Sequence, residues 1–224
     1  MAQIAIDGPS GAGKSTLSRR VAQSLQYIYI DTGAMYRAVG LKALRLGIGI
    51  RNDQKAVEEM LPGLSVTLGY HEDGQTVLLD GEDVTGLIRT PEVSIAASDI
   101  SAIPAVRHKM VELQRQLAAS QDVVMDGRDI GTVVLPDAQV KIFLTASVEE
   151  RARRRYEELK EKGSDVTLDG VTKDIRYRDQ NDESREMAPL KPAKDALIVD
   201  TTGFCLEKSL EVLLKIIREK LNMQ

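Results

Sequence analysis

The sequence contains no tryptophan, only two phenylalanines and a single cysteine among its 224 residues. One cysteine excludes an internal disulfide framework, and we expect Cys205 to be a buried apolar residue, not a reactive one. With aromatic residues at 4%, few side chains are available to stack on the bases of single-stranded nucleic acid. A formal net charge of −4 also argues against the broad basic surface that nucleic-acid binding requires.

Long apolar runs are also missing. No segment is long and apolar enough to span a bilayer, and the first residues lack the basic, apolar and small-residue regions of a secretory leader. We therefore expect a soluble cytoplasmic protein with no membrane partner. A chain of this length can bury a substantial core, and it is expected to form one domain with appendages or two small domains.

Short apolar runs do occur, and they alternate with segments of helical periodicity. Strands are predicted at residues 4–6, 27–30, 123–125, 140–144 and 197–199. This alternation is typical of an α/β fold in which helices cover both faces of a parallel sheet. Ser147 and Glu150 predict a capping box at the start of one helix. An apolar stripe predicts the last helix, and it consists of Leu206, Leu210, Leu213, Ile217 and Leu221.

Two stretches depart from this alternation. Residues 65–84 indicate small antiparallel strands with turns at residues 72–74 and at Asp80-Gly81, forming an insert between the second and third core strands. Thr90 and Pro91 then predict the start of a helix, and helical periodicity resumes at Pro104. Residues 149–187 are helical in pattern, interrupted at residues 163–170, and rich in arginine.

One run carries a specific motif. It is Gly8-Pro9-Ser10-Gly11-Ala12-Gly13-Lys14-Ser15, which matches G-x-x-x-x-G-K-[ST] between a predicted strand and a predicted helix. In such a phosphate-binding loop, or P-loop, backbone N–H groups surround phosphate oxygens at the helix N-terminus. Lys14 adds a mobile cation, and the Ser15 hydroxyl is suited to ligate Mg²⁺. The alternative is a glycine-rich strand-to-helix turn with no ligand.

The P-loop does not by itself identify the class of nucleotide-binding protein. A guanine-reading N-K-x-D segment and an ABC-type signature are both missing from the sequence. The D-x-x-G match at Asp83-Val84-Thr85-Gly86 falls in the predicted insert, and we attribute it to chance. A small-molecule kinase and a nucleotide-dependent switch or nucleic-acid-dependent ATPase remain open at this point.

Arginines recur along the chain in a pattern that suits a second anionic ligand, because guanidinium groups bind phosphate in a bidentate manner. They are Arg37, Arg107, Arg128, Arg178, Arg185 and the run of Arg151, Arg153, Arg154 and Arg155. For the run, the alternative is a solvated helix face paired with glutamates. For Arg37, Arg107 and Arg128, the alternative is a surface or salt-bridge residue.

Acidic residues end several of the predicted strands. Asp126 is our candidate for holding Mg²⁺ directly or through water, and the alternative is a turn residue before Gly127. Asp7, Asp31 and Asp200 end similar runs. We expect the two histidines, His71 and His108, to lie at the surface.

Taken in order, several segments resemble those of bacterial cytidylate kinases, a family of nucleoside monophosphate kinases. They are the P-loop, residues 31–37 (DTGAMYR), 81–84 (GEDV), 88–90 (IRT), 126–133 (DGRDIGTV), 141–144 (KIFL) and 188–190 (APL). The resemblance implies a single P-loop kinase domain over residues 1–224 with a three-layer α/β core. It further implies that residues 63–90 form a β insert on the monophosphate-binding side and residues 149–187 form a helical lid over ATP.

The resemblance also implies the site residues, with ATP and Mg²⁺ bound by the P-loop and CMP or dCMP as the acceptor of a monomeric enzyme. ATP would be bound by Gly8, Pro9, Ser10, Gly11, Ala12, Gly13, Lys14, Ser15, Thr16 and Arg154, and Mg²⁺ by Ser15 and Asp126. The acceptor would be bound by Thr32, Tyr36, Arg37, Ser98, Arg107, Arg128, Asp129, Arg178, Asp182 and Arg185. Of these, Ser98, Arg107 and Asp129 would recognise cytosine, and Arg178 and Asp182 the ribose. The catalytic set would be Lys14, Asp126, Arg128 and Arg185.

Overall fold

The computed structural model describes residues 1–71 and 74–223. Its strands are β1 (Gln3–Asp7), β2 (Ile28–Asp31), β3 (Val66–His71), β4 (Gly74–Leu79), β5 (Glu82–Asp83), β6 (Val123–Gly127), β7 (Val140–Thr145) and β8 (Leu197–Asp200). Its helices are α1 (Lys14–Leu25), α2 (Thr32–Arg45), α3 (Gln54–Met60), α4 (Pro91–Ile100), α5 (Pro104–Ala118), α6 (Val148–Glu161), α7 (Leu168–Ser184) and α8 (Leu206–Leu221), with a π-helical segment at Ile130–Val134. No helix among the described residues combines the length and apolarity needed to cross a bilayer.

Five strands form a central parallel sheet in the order β2-β6-β1-β7-β8, which confirms the five predicted core strands. Strand β1 is central, and its last four residues are buried, as expected for a strand covered on both faces. Ile6 lies beside Asp126 of β6, and Asp7 lies beside Gly127. Because parallel strands end at a common edge, this register places the P-loop after β1 next to Asp126.

Helices α1 and α8 supply much of the apolar cover of this sheet. Their buried residues Leu17, Val21, Leu213 and Ile217 belong to one cluster with strand residues such as Ile6. The predicted apolar stripe of the last helix is therefore confirmed, with Leu206 and Leu221 packed against the same cluster at its ends.

The insert is also confirmed as a three-stranded antiparallel sheet in the order β3-β4-β5. Asp80 and Gly81 turn the chain between β4 and β5 with φ values of 51° and 88°, the left-handed backbone that an Asp-Gly hairpin turn requires. The other predicted turn includes Glu72 and Asp73, which lie outside the described residues. In the D-x-x-G match, Asp83 accepts hydrogen bonds from the amide and hydroxyl of Thr85, so it serves a local turn.

Two helix starts follow the sequence prediction, with one correction. Thr90 caps α4, whose first residue is Pro91, and the Ser147 hydroxyl accepts a hydrogen bond from the Glu150 amide at 3.2 Å. The reciprocal half of the capping box is not formed, because the Ser147 amide donates to Thr202 Oγ1 at 2.9 Å. The Glu150 carboxylate instead accepts charge-assisted bonds from Arg153 and Arg154.

The chain forms two compact units, the first made of Met1–Ile30 with Arg115–Gln224 and the second of Asp31–Gln114. In the second unit Gly40 allows α2 and α4 to pack closely, since a Cβ at this position would lie 2.9 Å from the backbone nitrogen of Ala97.

The expectation that Cys205 is buried was wrong: Cys205 is exposed as the N-cap of α8, a helix end that faces solvent. His108 is exposed as predicted, whereas the side chain of His71 is outside the described part of the chain.

Candidate active site

The P-loop backbone has a shape that only glycine allows at its first position. A Cβ at Gly8 would lie 1.9 Å from the carbonyl oxygen of Leu144. Gly13 caps α1 in the left-handed conformation with φ 85°, without any side-chain capping bond, and the first turn of α1 contains no acidic residue. The first amides of α1 and the positive end of its dipole are therefore left for an anionic ligand.

Lys14 is buried in the loop, with 6% of its surface exposed. Its Nζ donates a hydrogen bond to the Pro9 carbonyl oxygen at 2.7 Å. Burial, together with the positive charge of Arg128, lowers the pKa of Lys14 well below its usual value. A phosphate in the loop would offset the cost of holding this ammonium group away from water.

Asp126 lies within β6 and is buried, not in a turn, and both of its oxygens accept hydrogen bonds. Ser15 Oγ donates to Oδ2 at 3.0 Å, and Tyr29 OH donates to Oδ1 at 2.9 Å. A hydroxyl and a carboxylate are the hard oxygen donors that Mg²⁺ prefers, so these residues fit the ion. Sequence reasoning missed Tyr29, because its place beside Asp126 depends on the pairing of β2 with β6.

Arg128, Asp182 and Arg185 form a buried charged cluster in the first unit. Arg128 Nε donates to Asp182 Oδ2 at 2.6 Å, and Arg185 Nη2 lies 3.4 Å from Asp182 Oδ1. Burial raises the pKa of Asp182, but the charges of Arg128 and Arg185 hold it below the usual value. One carboxylate therefore orients two guanidinium groups, while Arg178 lies one turn earlier on α7.

Asp7 anchors the segment that contains Asp129. Its carboxylate accepts hydrogen bonds from the amides of Ile130 and Gly131 at 2.7 and 2.8 Å. Burial raises the pKa of Asp7 to about 7, although these two bonds lower it. Asp129, itself buried, precedes the anchored amides and caps the π-helical segment. The sequence identified Asp7 only as the end of a strand.

In the second unit, Asp31 organises the residues predicted to bind the acceptor phosphate. Its side chain caps α2 by accepting from the Ala34 amide at 2.8 Å, and Arg37 Nη2 donates to it at 3.0 Å. Arg89 Nη2 lies 3.7 Å from the same carboxylate. Burial raises the pKa of Asp31, but Arg37 and Arg89 lower it below its usual value. Thr32 is buried at the start of α2.

Arg107 is 2% exposed, so the alternative of a surface arginine was wrong. Its Nη1 donates to the carbonyl oxygen of Ser101 at 3.2 Å. Its guanidinium carbon lies 5.7 Å from the ring centroid of Tyr36, within the range of a cation–π contact. Ser98 is buried on the neighbouring helix α4. The structure thus brings together Tyr36 and Arg107, two of the residues expected to bind the acceptor.

The arginine run on α6 divides into two kinds of residue. Arg153 and Arg155 pair with nearby glutamates in the manner of a solvated helix face. Arg154 donates to Glu150 and to the carbonyl oxygen of Thr201. Arg151 is buried and contacts the P-loop, so for this residue the solvated-face alternative was wrong.

Within the first unit the structure brings together the P-loop, Asp126 and the Arg128, Asp182 and Arg185 cluster. Thr16 is exposed in the first turn of α1. Within the second unit it brings together Asp31 and Arg37, and separately Tyr36 and Arg107. The role of Asp31 was missed, although an aspartate that ends a strand six residues before an arginine is a signal in the sequence.

Comparison with known proteins identifies the family of the chain. The cytidylate kinase of Caldicellulosiruptor bescii is 53% identical over 213 residues, which are 95% of this chain and 94% of that protein. The cytidylate kinase of Desulfitobacterium hafniense is 51% identical over 218 residues, covering 97% of this chain and 93% of that protein. A crystal structure of an uncharacterized protein from Eubacterium ventriosum matches 97% of this chain and 98% of its own with a TM-score of 0.52, and at 10% identity this likeness concerns the fold alone. The family described as cytidylate kinase matches residues 4–219, and the chain belongs to that family.

Proposed function

We propose that the chain transfers the γ-phosphoryl group of ATP to CMP or dCMP, giving CDP or dCDP and ADP. The observation that carries this proposal is one compact unit that contains both a P-loop with a buried lysine and a buried cluster of two arginines around Asp182. Such a unit is equipped to hold more than one anion. The relatives described as cytidylate kinases support CMP as the acceptor.

For ATP, the backbone N–H groups of residues 8–16 other than Pro9, together with the ammonium group of Lys14, would bind the β- and γ-phosphates. Pro9 would contribute to the shape of the loop, and Arg154 would be a further contact. When bound, Mg²⁺ would neutralise developing phosphate charge. Ser15 and Asp126 would hold it, with Tyr29 fixing the orientation of the Asp126 carboxylate.

For the acceptor, Thr32, Arg37, Arg128 and Arg185 would bind the phosphate of CMP. Two unit charges of like sign repel by about 4 kcal/mol at 4 Å for an effective dielectric constant of 20. The role of the guanidinium groups is to offset this repulsion while both phosphates are aligned. No general base is required, since a phosphate monoester has a second pKa of about 6 and is largely dianionic at neutral pH.

Recognition of cytosine would fall to Asp129, Ser98 and Arg107. A carboxylate accepts from the exocyclic amine, which uracil lacks, and a hydroxyl or guanidinium donates to the carbonyl oxygen. Arg178 and Asp182 would contact the ribose, and Tyr36 would support Arg107.

We further propose that residues 63–90 form part of the monophosphate-binding side and that residues 149–187 form a lid. We also propose that the enzyme is a cytoplasmic monomer without nucleic-acid or membrane partners.

A coupled assay of ADP formation with CMP, dCMP, UMP and AMP side by side tests this function. We expect CMP and dCMP to be the preferred acceptors, with little ADP formed when no monophosphate is present. A preference for UMP or AMP would refute the assignment of the base, and stimulation by RNA or DNA without a monophosphate would refute the enzyme class.

A further inference from the structure

Arg151 joins three structural elements of the first unit. Its Nε donates to the carbonyl oxygen of Ala146 at 2.9 Å, and its Nη1 donates to the carbonyl oxygen of Ser10 in the P-loop at 2.9 Å. The same Nη1 lies 2.7 Å from Asp179 Oδ2 on α7. One buried guanidinium group, 5% exposed, therefore connects α6, the P-loop and α7.

The P-loop also packs directly on both helices. A Cβ placed at Gly11 would lie 3.2 Å from Arg151 Cβ and 3.4 Å from Ile175 Cδ1. Ile175 is buried on α7 and lies four residues, or about one turn, before Asp179, so both side chains lie on the same face. The position of the loop and the position of α7 are thus linked by packing as well as by the ion pair.

Helix α7 continues from Asp179 to residues assigned to the acceptor. Asp182 follows three residues later and forms the 2.6 Å bond to Arg128. Two sets of contacts on one helix therefore connect the P-loop with Arg128: Arg151 bonds Ser10 and Asp179, and Asp182, one turn further along α7, bonds Arg128. Contiguous hydrogen bonds and a rigid helix are the physical means by which two sites are coupled.

We propose that Arg151 and Asp179 are positioning residues that couple occupancy of the P-loop by ATP to the affinity for CMP. Neither is assigned to contact substrate, and the proposal rests on the function proposed above. Phosphate binding in the loop would fix Ser10 and hence Arg151, which holds α7 where Asp182 orients Arg128. By reciprocity, CMP would raise the affinity for ATP by the same factor.

The chemistry of the pair explains why arginine is needed at position 151. A guanidinium group reaches three acceptors in fixed directions, whereas the compact ammonium group of lysine is not preorganised for that geometry. Asp179 Oδ1 is buried with no hydrogen-bond partner among the described residues, so Asp179 is held through Oδ2 alone. Loss of Arg151 would therefore release this carboxylate and the face of α7 beside it.

The test is calorimetric titration of the full-length protein with CMP, with and without a saturating non-hydrolysable ATP analogue and Mg²⁺. For the wild type we expect the analogue to lower the Kd for CMP at least about fivefold. Arg151→Lys and Asp179→Asn should each reduce this factor to within about twofold of unity, and the double variant should show no further loss. Arg153→Lys is the matched control, because Arg153 is exposed on the same helix and, among the described residues, pairs with the glutamates Glu150 and Glu157.

Thermal unfolding of each variant identifies folded protein, and the isosteric Asp179→Asn variant supplies the result if Arg151→Lys does not fold. A merely structural role would lower the melting temperature while leaving the coupling factor unchanged in the folded variants. An unchanged coupling factor in the folded variants would overturn this inference and leave the proposed function standing. A wild type that binds CMP with the same Kd with and without the analogue would do the same. A wild type that binds no CMP under either condition would overturn the proposed function together with it.

Discussion

Asp182 Oδ2 accepts a hydrogen bond from Arg128 Nε at 2.6 Å, although the two residues are 54 positions apart in the sequence. Only 5% of the Asp182 side chain and 19% of the Arg128 side chain are exposed. A buried charge that loses its partner is costly, since neither water nor another carboxylate replaces it. The pair is therefore central to the stability of the first unit and, under the proposed function, to the geometry of the acceptor site.

We predict that Asp182→Asn lowers the free energy of unfolding by about 3 kcal/mol, because two guanidinium groups lose their shared carboxylate. In protein that remains folded, the KM for CMP should rise on the order of tenfold. Urea unfolding and initial-rate kinetics measure the two effects. Asp195→Asn is the control, since its carboxylate pairs with Lys141 and is 65% exposed; equal loss of stability in both variants would contradict the prediction.

Lys14→Met tests the role of the P-loop lysine. The lysine donates to the Pro9 carbonyl oxygen within its own loop, and removal of a buried ammonium group should leave the fold intact. We expect kcat to fall by about 100-fold or more, as when a group that stabilises transition-state charge is lost. An unchanged kcat would remove Lys14 from catalysis, and unfolding of the variant at ambient temperature would assign Lys14 a structural role. Lys173→Met, at a solvent-exposed pair with Asp169, should change neither quantity.

Asp129→Ala tests recognition of the base. The ratio of kcat/KM for CMP to that for UMP should fall on the order of 100-fold, because the acceptor for the exocyclic amine is lost. The KM for ATP should change little. Equal losses with both monophosphates would remove Asp129 from base recognition, and the exposed Asp137→Ala variant should retain the wild-type ratio.

The anchoring role of Asp7 predicts a dependence of stability on pH. Burial raises the pKa of Asp7 to about 7 from 3.8, so between these values the folded state binds a proton that the unfolded state does not. The free energy of unfolding should therefore contain a contribution that is present near pH 4 and declines as the pH rises to 7.

Asp7→Asn should remove that decline. Urea unfolding of both proteins at pH 5 and pH 8 measures it, and the stability difference between the two pH values should be smaller in the variant. The same decline in both proteins would show that protonation of Asp7 is not its cause.

The sequence predicted the core strands because continuous apolar runs ending in aspartate or glycine need no tertiary information. It also predicted the P-loop, since the spacing of Gly8, Gly13 and Lys14 is a local property of the backbone. The Asp80-Gly81 turn was predictable for the same reason, as left-handed φ values favour these residues.

The partners of the polar side chains were harder to predict because they depend on long-range packing. Tyr29 meets Asp126 only once β2 and β6 are neighbours, and Arg151 reaches Ser10 across 141 positions of sequence. Glutamates near Arg151 in the sequence favoured a solvated helix face. In the structure Arg151 is instead buried and paired with Asp179, which lies on another helix. The exposure of Cys205 followed from its place at a helix end, which hydrophobicity alone does not reveal.

The most direct test of the central claim is ³¹P nuclear magnetic resonance of the protein with ATP, Mg²⁺ and CMP. The phosphoryl group should appear in the β-phosphate of CDP in step with the formation of ADP, without build-up of inorganic phosphate. Release of inorganic phosphate with CMP unchanged would mean that water is the acceptor, and it would contradict the account of two nucleotides held for direct transfer.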